Sequence, residues 1–177
     1  MLQIEIKKSI LKVDKGDLTT LDTEAIVFYA QPDLKLGSGF GNAISVRGGP
    51  SIQAELSKLG SLSVGEAVIT NAGELKSKFI IHAVGPRFQE PEIEEKLSKT
   101  IRSVLNIAED KGIKKIAFPP MGTGFYGIPL DVSANVMLRE ISNHLSGNSN
   151  LSEVLICVMD NKEYSAFQKY LDVKIKV

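Results

Sequence analysis

The sequence predicts an α/β domain in which helices cover both faces of a largely parallel sheet. Short segments rich in β-branched residues alternate with helical patterns along the chain, and several of these segments are apolar throughout. No internal repeat or low-complexity linker interrupts the alternation. Strands that are apolar at every position are typical of sheets buried on both faces. Regular alternation of strands and helices is typical of parallel α/β folds.

The predicted strands come in chain order as short runs rich in Val, Ile and Phe. They cover residues 2–7, 25–29, 67–70, 79–84, 116–119 and 154–159. The last segment, residues 172–177, differs because Val173, Ile175 and Val177 alternate with polar residues. Such alternation predicts a half-exposed edge strand.

Helical patterns fill the intervals between these strands. Apolar residues at steps of four and three, from Ile93 to Ala108, predict a helix over residues 92–111. This segment opens with glutamates and is followed by Gly112, as the helix macrodipole and a glycine stop favour. Pro129 can start a second long helix. Shorter helices are predicted over residues 51–59 and 163–171.

The composition excludes several classes of protein. The chain of 177 residues carries 21 Lys and Arg against 21 Asp and Glu, so it lacks the basic field expected of a dedicated nucleic-acid binder. Cys157 is the single cysteine, which excludes an internal disulfide framework and a cysteine-based zinc site. No apolar run reaches about eighteen residues, and the charged N-terminus does not resemble a signal peptide. We therefore expect one soluble, cytoplasmic domain over residues 1–177, without a metal or cofactor and as a monomer or weak oligomer.

Two glycine clusters follow predicted strands. The first is Gly37-Ser-Gly-Phe-Gly41, and the second is Gly122-Thr-Gly-Phe-Tyr-Gly127. Glycine lets the backbone adopt positive φ and present several N–H groups to a ligand, most often a phosphate. Neither cluster fits the dinucleotide or P-loop fingerprint. Spacing alone therefore indicates a phosphate-containing ligand, with tight turns as the alternative.

Four motifs in order resemble the macro domain family, which binds ADP-ribose. They are Gly16-Asp-Leu-Thr19, Ala25-Ile-Val27 with the segment 36–44, Ile80-Ile-His-Ala-Val-Gly-Pro86, and the segment 117–129. The resemblance covers nearly the whole chain. It implies a three-layer α/β/α sandwich around a mixed, largely parallel sheet of six or seven strands. It also implies ADP-ribose, free or attached to a protein, as the ligand.

The resemblance implies roles for residues at the adenine end of the site. Asp17 would accept a hydrogen bond from the adenine amino group, with the backbone of Leu18 beside it. A carboxylate acceptor selects adenine over a base that presents a carbonyl at that position. A turn or helix-cap role is the alternative for Asp17. Met159 or Asp160 would lie against the adenine, with core packing as the alternative for Met159.

The resemblance likewise assigns the two glycine clusters to the diphosphate and the distal ribose, which their backbone N–H groups would hold. The residues are Gly37, Ser38, Gly39, Phe40 and Gly41 in the first loop, and Gly122, Thr123, Gly124, Phe125 and Tyr126 in the second. Tyr126 would flank the distal ribose, unless it is a buried aromatic residue under the loop.

The chain departs from the family pattern where catalysis would occur. The family's Asn-Ala-Ala-Asn corresponds to Phe28-Tyr29-Ala30-Gln31, so Gln31 is the only catalytic candidate and carries its amide one methylene further out. Phe28 and Tyr29 either thicken the core or reshape the pocket. The catalytic Asp of hydrolytic members corresponds to Gly41, or to Asn42 if the alignment shifts by one. Neither supplies a general base, which typically contributes about 10²–10⁴-fold in rate.

Three functions stay open from the sequence. Binding of ADP-ribose without chemistry is favoured, because the phosphate loops are intact and the catalytic set is depleted. A hydrolase acting on ADP-ribose 1″-phosphate, an ADP-ribosylated protein or an O-acyl ester is the alternative. An RNA-end or poly(A) reader is disfavoured by the neutral charge. We expect His82 and Cys157 in the core, and His144 at the surface or as a helix cap.

Overall fold

The computed structural model describes the backbone of residues 1–175 and the side chains of residues 1–172. Within this part of the chain, seven strands form one sheet. They are β1 (Leu2–Ile6), β2 (Ser9–Lys15), β3 (Ala25–Tyr29), β4 (Glu66–Asn71), β5 (Phe79–Val84), β6 (Lys115–Phe118) and β7 (Glu153–Val158). The helices are α1 (Phe40–Gly48), α2 (Ser51–Leu56), α3 (Ile93–Lys111), α4 (Leu130–Ser146) and α5 (Asn161–Ile175).

The sheet is mixed, with a parallel centre. Its strand order is β1-β2-β7-β6-β3-β5-β4. The inner pairs β2·β7, β7·β6, β6·β3 and β3·β5 are parallel, whereas the outer pairs β1·β2 and β4·β5 are antiparallel. The carboxyl ends of β2, β7, β6 and β3 therefore meet at one edge of the sheet.

Each face of the sheet is covered by its own hydrophobic cluster. Val27 and Ile26 are neighbours on β3 and belong to different clusters, because successive side chains of a strand point to opposite faces. One cluster contains Ile101 of α3, Met137 of α4 and Phe167 of α5. The other contains residues of α1 and α2, including Ile44 and Ile52. The predicted three-layer α/β/α sandwich is confirmed.

Two elements were not predicted. The strand expected over residues 2–7 is the first arm of a hairpin, and Lys7 adopts a φ of 53° in the turn before β2. Ser9, Leu11 and Val13 of β2 are buried, but Lys12 and Asp14 interrupt the apolar run. Helix α1 begins inside the first glycine cluster, where the glycines indicated only a loop.

The predicted C-terminal edge strand was wrong. Helix α5 continues through residue 175, and residues 176–177 of that prediction lie outside the described residues. The step from Leu171 to Ile175 is also a helical spacing, and a short apolar run does not distinguish the two periodicities. Among residues 1–175, none of the helices combines the length and hydropathy needed to cross a bilayer.

Candidate functional site

A cleft of about 760 Å³ opens at the carboxyl ends of four neighbouring strands. Asp17 follows β2, Met159 follows β7, Pro119 follows β6, and Tyr29 ends β3; all four residues line the cleft. Because neighbouring strands lie about 4.8 Å apart, the cleft spans about 14 Å from β2 to β3. Ligands of open α/β sheets bind at this edge.

The first wall of the cleft is the start of α1. Gly39, with a φ of 63°, is the N-cap residue and has no side chain with which to cap the helix. N–H groups in the first turn of a helix lack intrahelical partners and attract anions. Ser38, Phe40 and Gly41 line the cleft beside it. A Cβ on Gly41 would lie 1.7 Å from the carbonyl oxygen of Leu36, so this position excludes any side chain.

The second wall is the loop between β6 and α4. Gly122 and Gly124 have φ values of 78° and 70°, and a short 3₁₀ turn covers Gly124–Tyr126. The N–H of Ile128 donates to the carbonyl of Gly122 at 3.0 Å, and Ser133 Oγ donates to the carbonyl of Met121 at 2.7 Å. These bonds fix both ends of the loop, so its backbone faces the first wall in a preset conformation.

An aromatic wall closes the cleft at the β3 end. The Tyr29 hydroxyl donates to the carbonyl of Pro86 at 2.5 Å, and its ring lies 4.7 Å from that of Tyr126. Burial raises the pKa of the Tyr29 phenol far above its ordinary value, so this group stays a neutral donor. Phe28 packs against Phe40, with ring centroids 5.9 Å apart. Phe28 and Tyr29 are 8% and 7% exposed, so they extend the core and shape the cleft at once.

The β2 end of the cleft carries a carboxylate network. Asp17 Oδ1 accepts from both the N–H and the hydroxyl of Thr19, at 3.0 and 2.7 Å. Arg47, in the last turn of α1, forms an ion pair with Asp17 Oδ2 and also donates to Thr19 Oγ1. The hydrogen bond from the Thr19 side chain, and next that from Arg47, hold the pKa of Asp17 below its ordinary value against the effect of burial.

Met159, Asp160 and Glu163 lie at the end of β7 and the start of α5. Met159 is 79% exposed, and its N–H donates to Glu163 Oε2 at 3.2 Å. Burial raises the pKa of Glu163 despite this hydrogen bond. The Asp160 carboxylate accepts from the Glu163 N–H at 2.8 Å and so caps α5. Met159 and Glu163 line the cleft, whereas Asp160 lies outside its lining.

The cleft brings most of the predicted site residues together. Those that line it are Asp17, Leu18, Gln31, Ser38, Gly39, Phe40, Gly41, Gly122, Thr123, Gly124, Phe125, Tyr126 and Met159. Gly37 does not line the cleft; a Cβ there would lie 2.7 Å from Gln31 Nε2, so the amide of Gln31 packs behind the first loop.

Several lining residues were not predicted as site residues. They are Gly16, Leu36, Ala43, Arg47, Pro119, Pro120, Cys157 and Glu163. Ala43 and Arg47 follow Gly39 at steps of four, which is the spacing of one helix face. Recognising α1 from the sequence would have brought both residues into the site. Cys157, predicted in the core, is 4% exposed at the floor of the cleft.

The ionisable groups of the cleft are unevenly distributed. Its lining carboxylates are Asp17 and Glu163, both at the β2 and β7 end, while Gln31 lies beyond β3. His82 does not face the cleft, is fully buried, and has a pKa that burial lowers to about 3. His144 Nε2 lies 2.9 Å from Glu109 Oε1, in the last turn of α4. Among the residues described, no group of His, Cys, Asp and Glu side chains could hold a metal ion.

Together these features define an α/β/α sandwich domain with a nucleotide-sized cleft between two glycine loops. Comparison with protein families gives the same result, because the macro domain family matches residues 29–137. A macro domain-containing protein from Caldanaerobacter subterraneus is 37% identical over 92% of this chain and 95% of its own length. The chain belongs to the macro domain family.

Other relatives and solved structures are similar over almost the full chain. The O-acetyl-ADP-ribose deacetylase 1 of Pantoea vagans is 35% identical over 92% of this chain and 98% of its own length. A mutant macrodomain of Oceanobacillus iheyensis with ADPR superposes with a TM-score of 0.95 at 29% identity, covering 99% of both chains. A Trypanosoma brucei macrodomain in complex with ADP-ribose has a TM-score of 0.85 at 27% identity, covering 91% of this chain and 68% of its own.

Proposed function

We propose that this protein binds ADP-ribose, free or attached to a protein, along the carboxyl ends of β2, β7, β6 and β3. The observation that carries the proposal is the pair of facing glycine loops, both with positive-φ glycines and one opening a helix N-terminus. This arrangement offers backbone N–H groups to a diphosphate from two sides. The solved macrodomains with ADPR and ADP-ribose support the same ligand class.

The order of strands gives the ligand a direction. The adenine would lie over β2 and β7, where Asp17 accepts from its amino group and Met159 lies against its ring. The diphosphate would occupy the space between Gly39 and Gly124. The distal ribose would then reach Tyr126 and the aromatic wall at the β3 end. The cleft length of about 14 Å between the outer strands suits such an extended ligand.

The distribution of carboxylates favours binding without chemistry. Hydrolysis at the distal ribose needs a group that activates water there, and the lining carboxylates Asp17 and Glu163 lie at the opposite end of the cleft. Asp33 and Glu90 interact electrostatically with Tyr126 and Tyr29 at the distal end, but they lie outside the cleft lining. Gly41 excludes a side chain, and Asn42 is exposed outside the lining. Tyr29 stays protonated and its hydroxyl is bonded to Pro86. Gln31 lines the cleft near the first loop and offers an amide rather than a carboxylate.

A hydrolase is the second candidate, because the Pantoea vagans relative named as an O-acetyl-ADP-ribose deacetylase matches over nearly the full length of both chains. Such an enzyme would work here by positioning a water and by stabilising developing charge with the loop N–H groups and Gln31. ADP-ribose 1″-phosphate, ADP-ribosylated protein and O-acyl-ADP-ribose are the substrates to compare.

Calorimetric titration with ADP-ribose, ADP and AMP tests the proposal. We expect micromolar binding of ADP-ribose, about −8 kcal/mol, with AMP much weaker, and ADP-ribose recovered unchanged. In assays with the three candidate substrates, we expect no turnover above background. If the protein turns over a substrate and Gly124→Glu abolishes that turnover, hydrolysis replaces binding as the function. If the protein fails to bind ADP-ribose, ADP and AMP, the proposal is overturned.

Two glycine variants provide a matched comparison for this titration. Gly124 and Gly112 have φ values of 70° and 74°, and added Cβ atoms at both meet nothing within 4 Å. Gly124 lines the cleft, whereas Gly112 ends α3 away from it. Gly124→Glu should abolish binding by placing a carboxylate where the diphosphate lies, while Gly112→Glu carries the same backbone strain and should bind normally.

The expectations of a cytoplasmic location, a monomer or weak oligomer, and no binding of nucleic acid stay predictions. Size-exclusion chromatography with light scattering checks the oligomeric state. Titration with poly(A) at two salt concentrations checks whether the protein binds nucleic acid, because binding through phosphates weakens steeply with salt.

A further inference from the structure

Arg47, Asp17 and Thr19 form a closed three-way network at the β2 end of the cleft. Arg47 Nη1 contacts both Asp17 Oδ2 and Thr19 Oγ1, and the Thr19 hydroxyl donates to Asp17 Oδ1. The network joins the last turn of α1 to the short 3₁₀ turn that follows β2. No sequence motif pointed to Arg47, and its role in the cleft does not follow from the glycine loops.

Proton counting fixes the direction of each bond in the network. A threonine hydroxyl has one proton, and an arginine only donates. Since Thr19 Oγ1 accepts from Arg47, its own proton is directed to Asp17 Oδ1. That oxygen also accepts from the Thr19 N–H, so both of its lone pairs are used. Asp17 Oδ2 accepts from Arg47 and keeps one lone pair.

We propose that Arg47 sets the specificity of this site for adenine, by holding Asp17 in the orientation that offers one remaining acceptor position to the 6-amino group. This inference rests on the proposed function, in which the adenine lies at Asp17. Arg47 is a positioning residue here, because it acts through Asp17 and Thr19. A base with a carbonyl at position 6 would face a fixed acceptor and be rejected.

Arg47 brings a positive charge to an end of the cleft where the thiol of Cys157 interacts with several carboxylates. Asp14 on β2, Cys157 on β7 and Glu163 on α5 all lie close enough to interact electrostatically in this region, and each is neutral or negative. Arg47, on α1, is the cation that the structure pairs with Asp17. Without it, Thr19 alone would hold the carboxylate.

The opposite role for Arg47 predicts the opposite result. If the guanidinium only occupied the position that adenine needs, its removal would strengthen binding of ADP-ribose. The sign of the change in affinity therefore separates positioning from competition.

Titration of two Arg47 variants with ADP-ribose and with its hypoxanthine analogue tests the proposal. Arg47→Met keeps the apolar stem but removes the donors, and we expect ADP-ribose to bind about 5-fold more weakly, the upper range for an exposed ion pair. The preference over the hypoxanthine analogue should fall with it. Arg47→Lys should bind within about 2-fold of wild type, because a single nitrogen makes both contacts in the native network.

Arg102→Met is the matched control. Arg102 forms an ion pair with Glu140 at 3.2 Å, its side chain is 50% exposed against 48% for Arg47, and it lies outside the cleft. It should bind both ligands as wild type does.

The pH dependence of binding adds a readout that general destabilisation would not move. Protonation of Asp17 at Oδ2 would occupy the lone pair that the 6-amino group needs, so the loss of affinity in acid should begin at higher pH in Arg47→Met, and at higher pH still in Thr19→Val.

The outcomes distinguish this inference from the proposed function. If wild type binds neither ligand, the proposed function fails and this inference fails with it. If wild type binds ADP-ribose and Arg47→Met binds equally well or better, with an unchanged preference, only the role of Arg47 is overturned. The role of Arg47 is also overturned if Arg47→Met binds ADP-ribose more weakly but keeps the wild-type preference for adenine and the wild-type loss of affinity in acid. The weaker binding would then be a structural effect.

Discussion

Gly41 limits the chemistry of the cleft at the scale of a single residue. The position lies in the first turn of α1, directly against the carbonyl of Leu36. An aspartate at this position of the chain would need the first loop to follow another path. The sequence shows that a carboxylate is missing at this position, and the backbone conformation leaves no room for one.

Gly41→Asp should not create a hydrolase. A Cβ would approach the Leu36 oxygen to 1.7 Å, so the first loop must shift, and we expect a loss of about 1–3 kcal/mol in unfolding free energy together with weaker binding of ADP-ribose. Urea unfolding and the substrate assays measure both effects. Asn42→Ala is the control, because Asn42 is exposed on the same helix turn. Turnover gained by Gly41→Asp with unchanged stability would contradict this account.

The individual site residues were predictable where they follow a strand in a recognisable motif, as Asp17 and Gly124 do. Arg47 was missed because its role depends on α1, and a glycine-rich segment gives no helical periodicity. Glu163 was missed for a different reason. Its relation to the cleft arises because α5 starts directly after β7 and packs against β2, and this packing is not recorded in a local pattern.

At the scale of elements, buried strands were the easiest to predict. The bounds of β3 and β5 agree with their predicted runs, because both faces of an inner strand are covered and even the one polar residue, His82, is buried. Strand β2 is buried on alternate residues only, and the apolar residues at the end of α5 recur at a spacing that also fits a strand. Most of α5 was predicted as a helix over residues 163–171, so only β2 and the last turn of α5 could not be recognised from their own sequence.

Glu109 ties α3 to α4 and to the loop before β7. Its carboxylate accepts from His144 Nε2 at 2.9 Å, from the Asn150 N–H at 3.0 Å, and from Ser149 Oγ. Burial would raise the pKa of Glu109, but these hydrogen bonds outweigh it and the pKa is lowered. The side chain is 18% exposed, so its removal would leave donors that water reaches only in part.

Glu109→Ala should therefore destabilise the fold by about 2 kcal/mol, because several donors lose one shared acceptor. For a chain of this size that loss lowers Tm by about 4–8 °C. Calorimetric melting of Glu109→Ala measures this decrease in Tm. Asp110→Ala is the control, since Asp110 is the exposed neighbour on the same helix. Equal melting temperatures for the two variants would show that the cluster contributes little.

For the whole molecule, the site is an outcome of topology. Asp17 and Met159 come from opposite ends of the chain and meet because β2 and β7 are adjacent, with the Gly16 N–H donating to the carbonyl of Val158 at 2.9 Å. The two glycine loops meet because β3 lies beside β6. The family resemblance could predict this assembly, whereas residue spacing alone predicted only that phosphate loops exist.

The stability of the whole molecule should depend on pH through His82. This residue of β5, an inner strand beside the edge strand β4, is fully buried, and Thr70 Oγ1 lies 2.9 Å from its Nε2. The Thr70 hydroxyl donates to the carbonyl of Asn71, so it accepts from His82 and places the ring proton on Nε2. Among the described residues, Nδ1 has no hydrogen-bond partner. Protonation would therefore create a buried charge and an unpaired donor together.

Burial lowers the pKa of His82 to about 3 in the fold, against 6.5 in the unfolded chain. The unfolded state consequently binds one more proton between these values, and stability falls as pH is lowered through that window. Between about pH 6 and 5 we expect the unfolding free energy to drop by about 1 kcal/mol per pH unit, up to the limit of 1.36 for one proton. Urea unfolding at successive pH values measures the slope.

His82→Gln isolates this contribution from the rest of the molecule. Glutamine can donate to Thr70 but does not titrate. The variant should therefore be less stable at neutral pH, and above about pH 5 its unfolding free energy should no longer show the pH dependence that His82 adds. The lowered pKa values of Asp17 and Glu109 also make stability fall in acid, but through carboxylates that titrate below that range. A slope shared equally by wild type and His82→Gln would mean that the buried histidine does not control the acid sensitivity of the fold.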